Sequence, residues 1–322
     1  AGVTNRSEAY WVLAPGRGGI RTQTLAAESS GWVRGVTLAS GISPGTERLV
    51  GLGAVPPECH DTMACAYMEG SFSLPAKYGY SLVARLNDGQ RVFLMHPHQT
   101  EIIVERARLL PLPEDLGSER ATLFPCLETA LNAVWDADPQ SSELCAVVGG
   151  GLIGILISYV LHRQGRGRPR LFESDSQRRD KLRALPWLDV AAPEPDAAQF
   201  ADCVFHCSGS PSGLQWSIDA LRFEGRVVEV SWYGNREVCL KLGGSFHYGR
   251  KRIVSSQVGA VAAPVRDAIS FRERHEQVLA LLLDPELDRL LEPRIPFPTL
   301  PDFMHQLYKG DNTGYAPVVT YD

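Results

Sequence analysis

The chain has no paired cysteines. Its seven cysteines, at positions 59, 65, 126, 145, 203, 207 and 239, include no Cys-x-x-Cys, which excludes a zinc ribbon and a thioredoxin-type motif. An odd, scattered set points to a reducing compartment, so a cytoplasmic protein is expected. Positive charge is not in surplus either: 32 Lys and Arg stand against 37 Asp and Glu, a formal net charge of −5. Nucleic-acid binding rests on a basic patch that neutralises phosphates, so no nucleic-acid partner is expected. The local basic clusters (Arg163, Arg166, Arg168, Arg170 and Arg250, Lys251, Arg252) are outnumbered by acids elsewhere. No run suits a membrane span. The apolar, charge-free run over residues 145–161 holds four glycines and falls short of the ~20 residues a spanning helix needs. It reads instead as a strand followed by a helix. Residues 1–13 lack the basic-then-apolar pattern of a signal peptide. With 44% hydrophobic and 21% charged residues, disorder and a fibrous fold are excluded.

What is present divides in two. Residues 1–110 are rich in strand signals. Residues 10–14 and 19–25 flank a Pro-Gly-Arg-Gly turn, residues 32–39 alternate, and residues 80–86 and 91–95 are joined by Asn87-Asp88-Gly89-Gln90, a hairpin signal. Residues 101–105 and 109–112 complete an antiparallel, barrel-like half. Residues 118–137 then show helical spacing, and a regular alternation follows: strands at 144–148, 170–173, 203–207, 226–231 and 252–256, with helices at 152–164, 176–185 and 212–221. That alternation predicts parallel βαβ units and a doubly wound sheet. Helices over 266–283 and 300–309 and a closing strand over 316–320 end the chain.

Gly149-Gly150-Gly151-Leu152-Ile153-Gly154 fits G-x-G-x-x-G and lies between an apolar strand and a helix, the context in which that motif carries meaning. Gly149 allows the tight turn, Gly151 lets the backbone approach a pyrophosphate, and Gly154 permits close helix–strand packing. The free N–H groups and dipole of the helix N-terminus favour phosphate. Glu173, at the end of the next strand and 19 residues beyond Gly154, stands where a carboxylate accepts from ribose hydroxyls. It would repel a 2′-phosphate, and Asp175 adds to the negative charge, so NAD(H) is expected over NADP(H). Arg178 and Arg179 leave open a 2′-phosphate site, an adenine contact or a solvent-facing position.

Taken together, Ser40-Gly41-Ile42-Ser43-Pro44-Gly45-Thr46-Glu47, Lys77-Tyr78-Gly79-Tyr80-Ser81, His96-Pro97-His98-Gln99, Ser208-Gly209-Ser210-Pro211, Ser231-Trp232-Tyr233-Gly234 and Ser255-Ser256-Gln257-Val258-Gly259 resemble one subgroup of the medium-chain dehydrogenase/reductase superfamily. That subgroup is zinc-type alcohol dehydrogenase-like and similar to bacteriochlorophyllide 3-hydroxyethyl dehydrogenases. The resemblance covers essentially the whole length. It implies an α/β protein: a GroES-like β-barrel catalytic domain over 1–119 and 266–322, and a Rossmann doubly wound parallel-sheet dinucleotide-binding domain over 120–265. It also implies a homodimer paired near the edge strand at 252–256, and an oxidoreductase acting on a small-molecule substrate. Cofactor contacts are implied for Thr129, Gly149, Gly151, Leu152, Ile153, Gly154, Glu173, Asp175, Arg178, Ser208, Gly209, Ser231 and Trp232.

The departures from the family pattern lie at its metal ligands. The position of the first zinc cysteine falls on Ser43 or Pro44, Tyr80 replaces the Gly-His-Glu histidine, and the junction offers Pro125 or Cys126. The four-cysteine structural lobe is missing. A catalytic zinc needs three protein ligands, so no zinc is expected. The reaction implied is hydride transfer between an alcohol or carbonyl carbon and the nicotinamide, with a side chain serving the oxygen in place of the metal. The candidates are Thr46 at the family's hydroxyl-relay position, Glu47, Tyr80, His96 and His98, with Glu128 near the junction. Blander readings stand beside these: a solvent-exposed turn for His96-Pro97-His98, a space-filling Tyr80, and a Glu47 ion pair with Arg48 or Arg85. Cys59, His60, Asp61 and Cys65 read as a plain loop, and Cys203 and Cys207 as packing residues. Trp232-Tyr233 reads either as a hydrophobic plug or as an aromatic substrate wall that would suit a bulky or planar substrate. Interconversion of a secondary alcohol and a ketone is the leading reading, with reduction of an activated double bond, as in quinone and enoyl reductases, as the alternative. A protein that binds NAD(H) without turnover is the reading from another class.

Overall fold

The computed structural model describes residues 5–166, 169–311 and 314–322, so Arg168 of the first basic cluster lies outside the described residues. The chain divides into two compact units, Ala1–Pro125 with Ala280–Asp322, and Cys126–Leu279.

The first unit is built from strands that pair antiparallel, except that Arg294–Pro296 runs parallel to Val318–Thr320. Arg6–Ala14 and Arg17–Thr24 form the hairpin read from the Pro-Gly-Arg-Gly turn, with Tyr10 opposite Ile20. A larger sheet runs in the order Arg294–Pro296, Val318–Thr320, Trp32–Gly41, Leu82–Leu86, Arg91–Leu94, Leu110–Pro111, with Glu101–Glu105 also pairing with Trp32–Gly41. Leu82, Ala84, Leu86, Val92, Leu94, Ile102 and Val104 form one buried cluster from its alternate residues, as a half-buried sheet requires. Proline fits where its missing N–H is harmless. Pro44 accordingly opens a helix, Pro44–Gly51, after Ser43 as N-cap.

The second unit is a parallel sheet in the order Asp189–Ala191, Arg170–Phe172, Cys145–Val148, Ala201–His206, Leu221–Glu229, Arg252–Ser255. The charge-free run divides as expected into the buried strand Cys145–Val148 and the helix Leu152–Arg163, whose residues 154–161 are all buried. Sheet order reverses on either side of Cys145–Val148, and that reversal opens a crevice at the carboxyl ends of the strands.

Three expectations are revised. The helix read over 118–137 is interrupted between Ser118–Ala121 and Phe124–Ala137, where Pro125 cannot donate to a continuing ladder. The helix read from 266 begins at Phe271. Its Arg274, only 2% exposed, donates to Glu128, Asn132 and the carbonyls of Val258 and Ala260, which ties the helix to the second unit. Lys251 is not a surface cation: it is buried and donates to the Ile218 carbonyl and to Ser245. No helix among the described residues is long and apolar enough to cross a membrane.

Candidate active site

In the second unit the glycine loop follows Val148. Gly149 has φ +108° and donates to the Phe172 carbonyl at 2.9 Å; a Cβ there would stand 2.7 Å from the Ser208 nitrogen. A Cβ on Gly154 would meet the Gly149 carbonyl oxygen at 2.1 Å, whereas one on Gly151 would meet nothing within 4 Å. The packing glycine is therefore closed against the loop, and the phosphate-facing glycine opens onto free space. Gly151 caps the helix without a side-chain bond, which leaves its first N–H groups available to an anion. Leu152 is buried and Ile153 half-buried behind them.

Glu173 folds back onto this loop. Its Oε2 accepts from Gly150 N and its Oε1 from Asp175 N, both at 2.9 Å. Asp175 is the N-cap of Ser176–Leu182, accepting from Arg178 N at 2.7 Å, so its carboxylate is committed to the helix. Arg178 donates to the Gly150 carbonyl, and Arg179 to the carbonyls of Glu173 and Ser174. Arg178 thus bonds the glycine loop, and Arg179 the turn after the strand Arg170–Phe172.

The next two strand ends hold an array that the sequence reading missed. His206, fully buried, has Nδ1 at 2.9 and 3.0 Å from the two carboxylate oxygens of Glu229 and Nε2 2.6 Å from Ser208 Oγ. Glu229 also accepts from Ser231 N and from the Tyr233 hydroxyl. Ser231 Oγ accepts from Gly209 N at 2.9 Å. The Tyr233 ring stacks on His206, so Tyr233 belongs to this array rather than to a separate aromatic wall; burial, then Glu229, push its hydroxyl pKa well up. Trp232 is half-buried beside it. Thr129 is half-buried on Phe124–Ala137. Glu128 on the same helix bonds to Arg274 and His275.

In the first unit Glu47 and His98 meet. Glu47, 3% exposed, lies on Pro44–Gly51; His98, fully buried, lies beyond the strand Arg91–Leu94; the distance from His98 Nε2 to Glu47 Oε1 is 2.6 Å. Glu47 Oε2 accepts from Ser43 N at 2.6 Å. On the other side of the ring, Ser40 Oγ is 2.7 Å from both His98 Nδ1 and the Tyr321 hydroxyl. One assignment satisfies every group: Tyr321 donates to Ser40, Ser40 to His98 Nδ1, and His98 Nε2–H to Glu47. Glu47 therefore does not pair with Arg48 or Arg85, and His96-Pro97-His98 is a buried segment rather than an exposed turn.

His96 donates from Nδ1 to the Pro97 carbonyl at 2.8 Å and faces the Tyr67 ring. Burial drives its pKa down to about 3, with nearby Lys77 and His98 adding to the fall, so the ring is neutral. Buried Lys77 donates to Gln99 and to Glu69, and burial lowers its pKa. Tyr10 and Tyr308 share a buried hydroxyl pair at 2.9 Å. Tyr80 is half-buried with its ring edge-on to Tyr78, and Thr46 is half-buried one residue before Glu47.

Of the positions where a zinc ligand would stand, Ser43 caps a helix, Tyr80 has no metal-binding nitrogen and Cys126 is buried. Among the described residues no group of three or more His, Cys, Asp or Glu side chains is placed to hold a metal ion. The glycine loop, its open helix N-terminus and the Glu173 carboxylate fit a dinucleotide.

Superposition on solved structures decides the fold. The X-ray structure of 2R,3R-butanediol dehydrogenase from Bacillus subtilis matches with a TM-score of 0.77 at 17% identity, covering 98% of this chain and 100% of that one. The chain has the medium-chain dehydrogenase fold. The same fold is shared by the crystal structure described as a short chain alcohol dehydrogenase (rspB) from E. coli CFT073 complexed with NADH, at a TM-score of 0.72 and 15% identity, covering 98% and 99% of the two chains. In sequence the chain is similar to (R,R)-butanediol dehydrogenase of B. subtilis strain 168, 27% identical over 147 residues, 42% of each chain. It is also similar to 2-desacetyl-2-hydroxyethyl bacteriochlorophyllide A dehydrogenase of Rhodobacter capsulatus, 25% identical over 206 residues, 60% of this chain and 63% of that one. The matched stretches thus span less than two thirds of these two medium-chain dehydrogenases. No family model matches the chain.

Proposed function

We propose that this chain is an NAD(H)-dependent oxidoreductase that interconverts a secondary alcohol and a ketone on a small-molecule substrate, without zinc, in the cytoplasm and as a homodimer. The observation that carries the reading is the Glu173 carboxylate folded onto the glycine loop at Gly150 N. It offers acceptors to ribose hydroxyls and opposes a 2′-phosphate. Gly149, Gly151 and the helix opening at Leu152 would hold the pyrophosphate; Ser208, Gly209, Ser231, Trp232 and Thr129 would line the rest. When bound, a nicotinamide supplies hydride acceptance and donation.

The chain itself must then handle the proton at the substrate oxygen. The Tyr321–Ser40–His98–Glu47 chain can hold or move one, because each member hydrogen-bonds the next through a group that both donates and accepts, ending on a carboxylate. Tyr80 and His96 supply further polar atoms in the same unit. The exposed strand Arg252–Ser255 at the sheet edge, with Ile253 36% exposed, suits pairing with a second copy.

The test is a thermal-shift comparison of NADH with NADPH, followed by product analysis with candidate ketones. A larger shift with NADH and an alcohol product are expected. A saturated ketone from an enone would replace this reading by double-bond reduction. One zinc per chain, lost together with activity on chelation, would refute the metal-free claim.

A further inference from the structure

Two thiols meet where the sheet of the second unit begins. Cys145 opens the strand Cys145–Val148, and Cys203 lies in Ala201–His206, the strand beside it. In the parallel register Cys145 stands opposite Cys203, so both side chains leave the sheet on the same face. The strands are clamped at this point: Asp202 N donates to the Leu144 carbonyl at 2.9 Å, and Leu144 N to Asp202 Oδ2 at 2.8 Å. Strands so paired lie about 4.8 Å apart, within the roughly 4.4–6.8 Å that a disulfide spans between Cα atoms. The two thiols hydrogen-bond each other. Cys145 is half-buried and follows the exposed Leu144, whereas Cys203 is fully buried. We propose that Cys145 and Cys203 form a peroxide-oxidisable dithiol, in which Cys145 attacks the oxidant and Cys203 resolves the product into a reversible disulfide. The glycine loop leaves the other end of the strand, after Val148, so this dithiol does not depend on the dinucleotide reading above.

The surroundings set the order of events. The hydrogen bond from Cys203 holds the Cys145 thiol below the usual thiol range, and the Arg226 guanidinium adds to the fall, against burial and the carboxylates of Glu143 and Asp202. Arg226 stands opposite Cys203 on the next strand and is held there by Glu143 and by the Ala137 carbonyl, each at 2.9 Å. The same thiol–thiol bond, together with burial, pushes Cys203 up. A partly exposed thiolate beside a cation is the reactive form of cysteine, so Cys145 acts first. Its sulfur attacks one oxygen of hydrogen peroxide, the O–O bond breaks, and the leaving oxygen takes the thiol proton and departs as water. Cys145 is then a sulfenic acid. Cys203 gives up its proton and attacks the Cys145 sulfur; the S–O bond breaks and the oxygen leaves as a second water. Two thiols lose two electrons, and one peroxide is reduced to two waters. Because Cys203 stands in contact, the sulfenic acid is captured before a second peroxide carries it to the irreversible sulfinic acid. Exchange with an external thiol restores the pair.

The experiment is mass spectrometry of the full chain after graded hydrogen peroxide, with the remaining thiols alkylated under denaturing conditions. The wild type is expected to yield the Cys145 and Cys203 peptides joined, with a loss of two thiols per chain that dithiothreitol restores. Cys239, an exposed cysteine, is the internal standard and is expected to stay alkylatable at the dose that links the pair. In Cys203→Ser, Cys145 is expected to pass to a sulfinic acid that dithiothreitol does not restore. In Cys145→Ser, Cys203 is expected to survive the same dose as a free thiol. Oxidation of Cys239 while Cys145 and Cys203 both stay alkylatable would overturn the proposal, as would equal oxidation of Cys203 with and without Cys145. So would a linked peptide that forms no faster in the folded chain than in urea. If a serine variant does not fold, the wild-type linkage and its comparison with urea decide alone.

Discussion

His96 offers the sharpest test of the first unit, because its burial translates directly into acid sensitivity. Its ring is 3% exposed and its pKa is held at about 3, against about 6.5 for a histidine in the unfolded chain. Above pH 6.5 neither state takes a proton there and the folded state keeps its full stability. As pH falls from 6.5 towards 3 the unfolded chain binds a proton that the folded chain refuses, and stability is lost. At about pH 5 the gap is roughly 1.5 units, or ~2 kcal/mol; by about pH 3 it reaches roughly 4 kcal/mol. The control is His96→Asn, whose side-chain amide can still donate to the Pro97 carbonyl but does not titrate. Denaturant melts of both proteins at about pH 7.5 and pH 5 isolate the effect, since every other group titrates alike in the two. The wild type should lose ~2 kcal/mol more than the variant, which for a unit of this size is a fall of roughly 4–8 °C in melting temperature. Equal losses in the two proteins would refute the burial argument.

Other perturbations follow from the same contacts. Glu173→Ala should weaken NADH binding about tenfold, the worth of a charge-assisted hydrogen bond, and narrow its advantage over NADPH in a binding titration. Gly154→Ala drives a Cβ to 2.1 Å from the Gly149 carbonyl oxygen; it should abolish the NADH-induced thermal shift and cost more than about 2 kcal/mol in a melt. His98→Ala leaves the buried Glu47 carboxylate with Ser43 N as its remaining hydrogen bond and should destabilise by about 3–5 kcal/mol. Adding Glu47→Gln to that variant should restore part of the loss, and a double-mutant cycle measures how much.

The parts of the site that were legible in the sequence are those where neighbours in space are neighbours in the chain. The glycine loop, its strand and helix, and Glu173 fall within one βαβ unit, and each physical requirement leaves a mark at fixed spacing. Glu47 and His98 were both singled out, Glu47 as a residue to orient or tune one of the other candidates, but not as a pair: 51 positions apart, they meet only because a helix and a post-strand segment converge. The helix carrying Glu47, for which no reading was made, has a local signal in Pro44 following Ser43 at the N-cap. His206 left less trace. It sits inside the apolar run of its strand, and its tie to Glu229 depends on the parallel register that sets His206 opposite Glu229. No periodicity encodes that register. The short strands Asp189–Ala191 and Arg294–Pro296 were missed for a related reason, since three residues carry too little alternation to read.

The barrel-like unit closes on itself late. Val318 pairs with Gly41, and Thr320 with Ala39, so roughly 277 residues must be made after one partner before the other exists. At 5–20 residues per second on the ribosome, that interval is about 15–55 s. Throughout it the strand Trp32–Gly41 presents an unpaired edge on its Val318–Thr320 side, and in the last part of it, once Arg252–Ser255 has been made, the intervening parallel-sheet unit already has every strand it needs. The nascent chain therefore carries a completed dinucleotide fold beside a half-open barrel, and the exposed edge is where holding chaperones would find it.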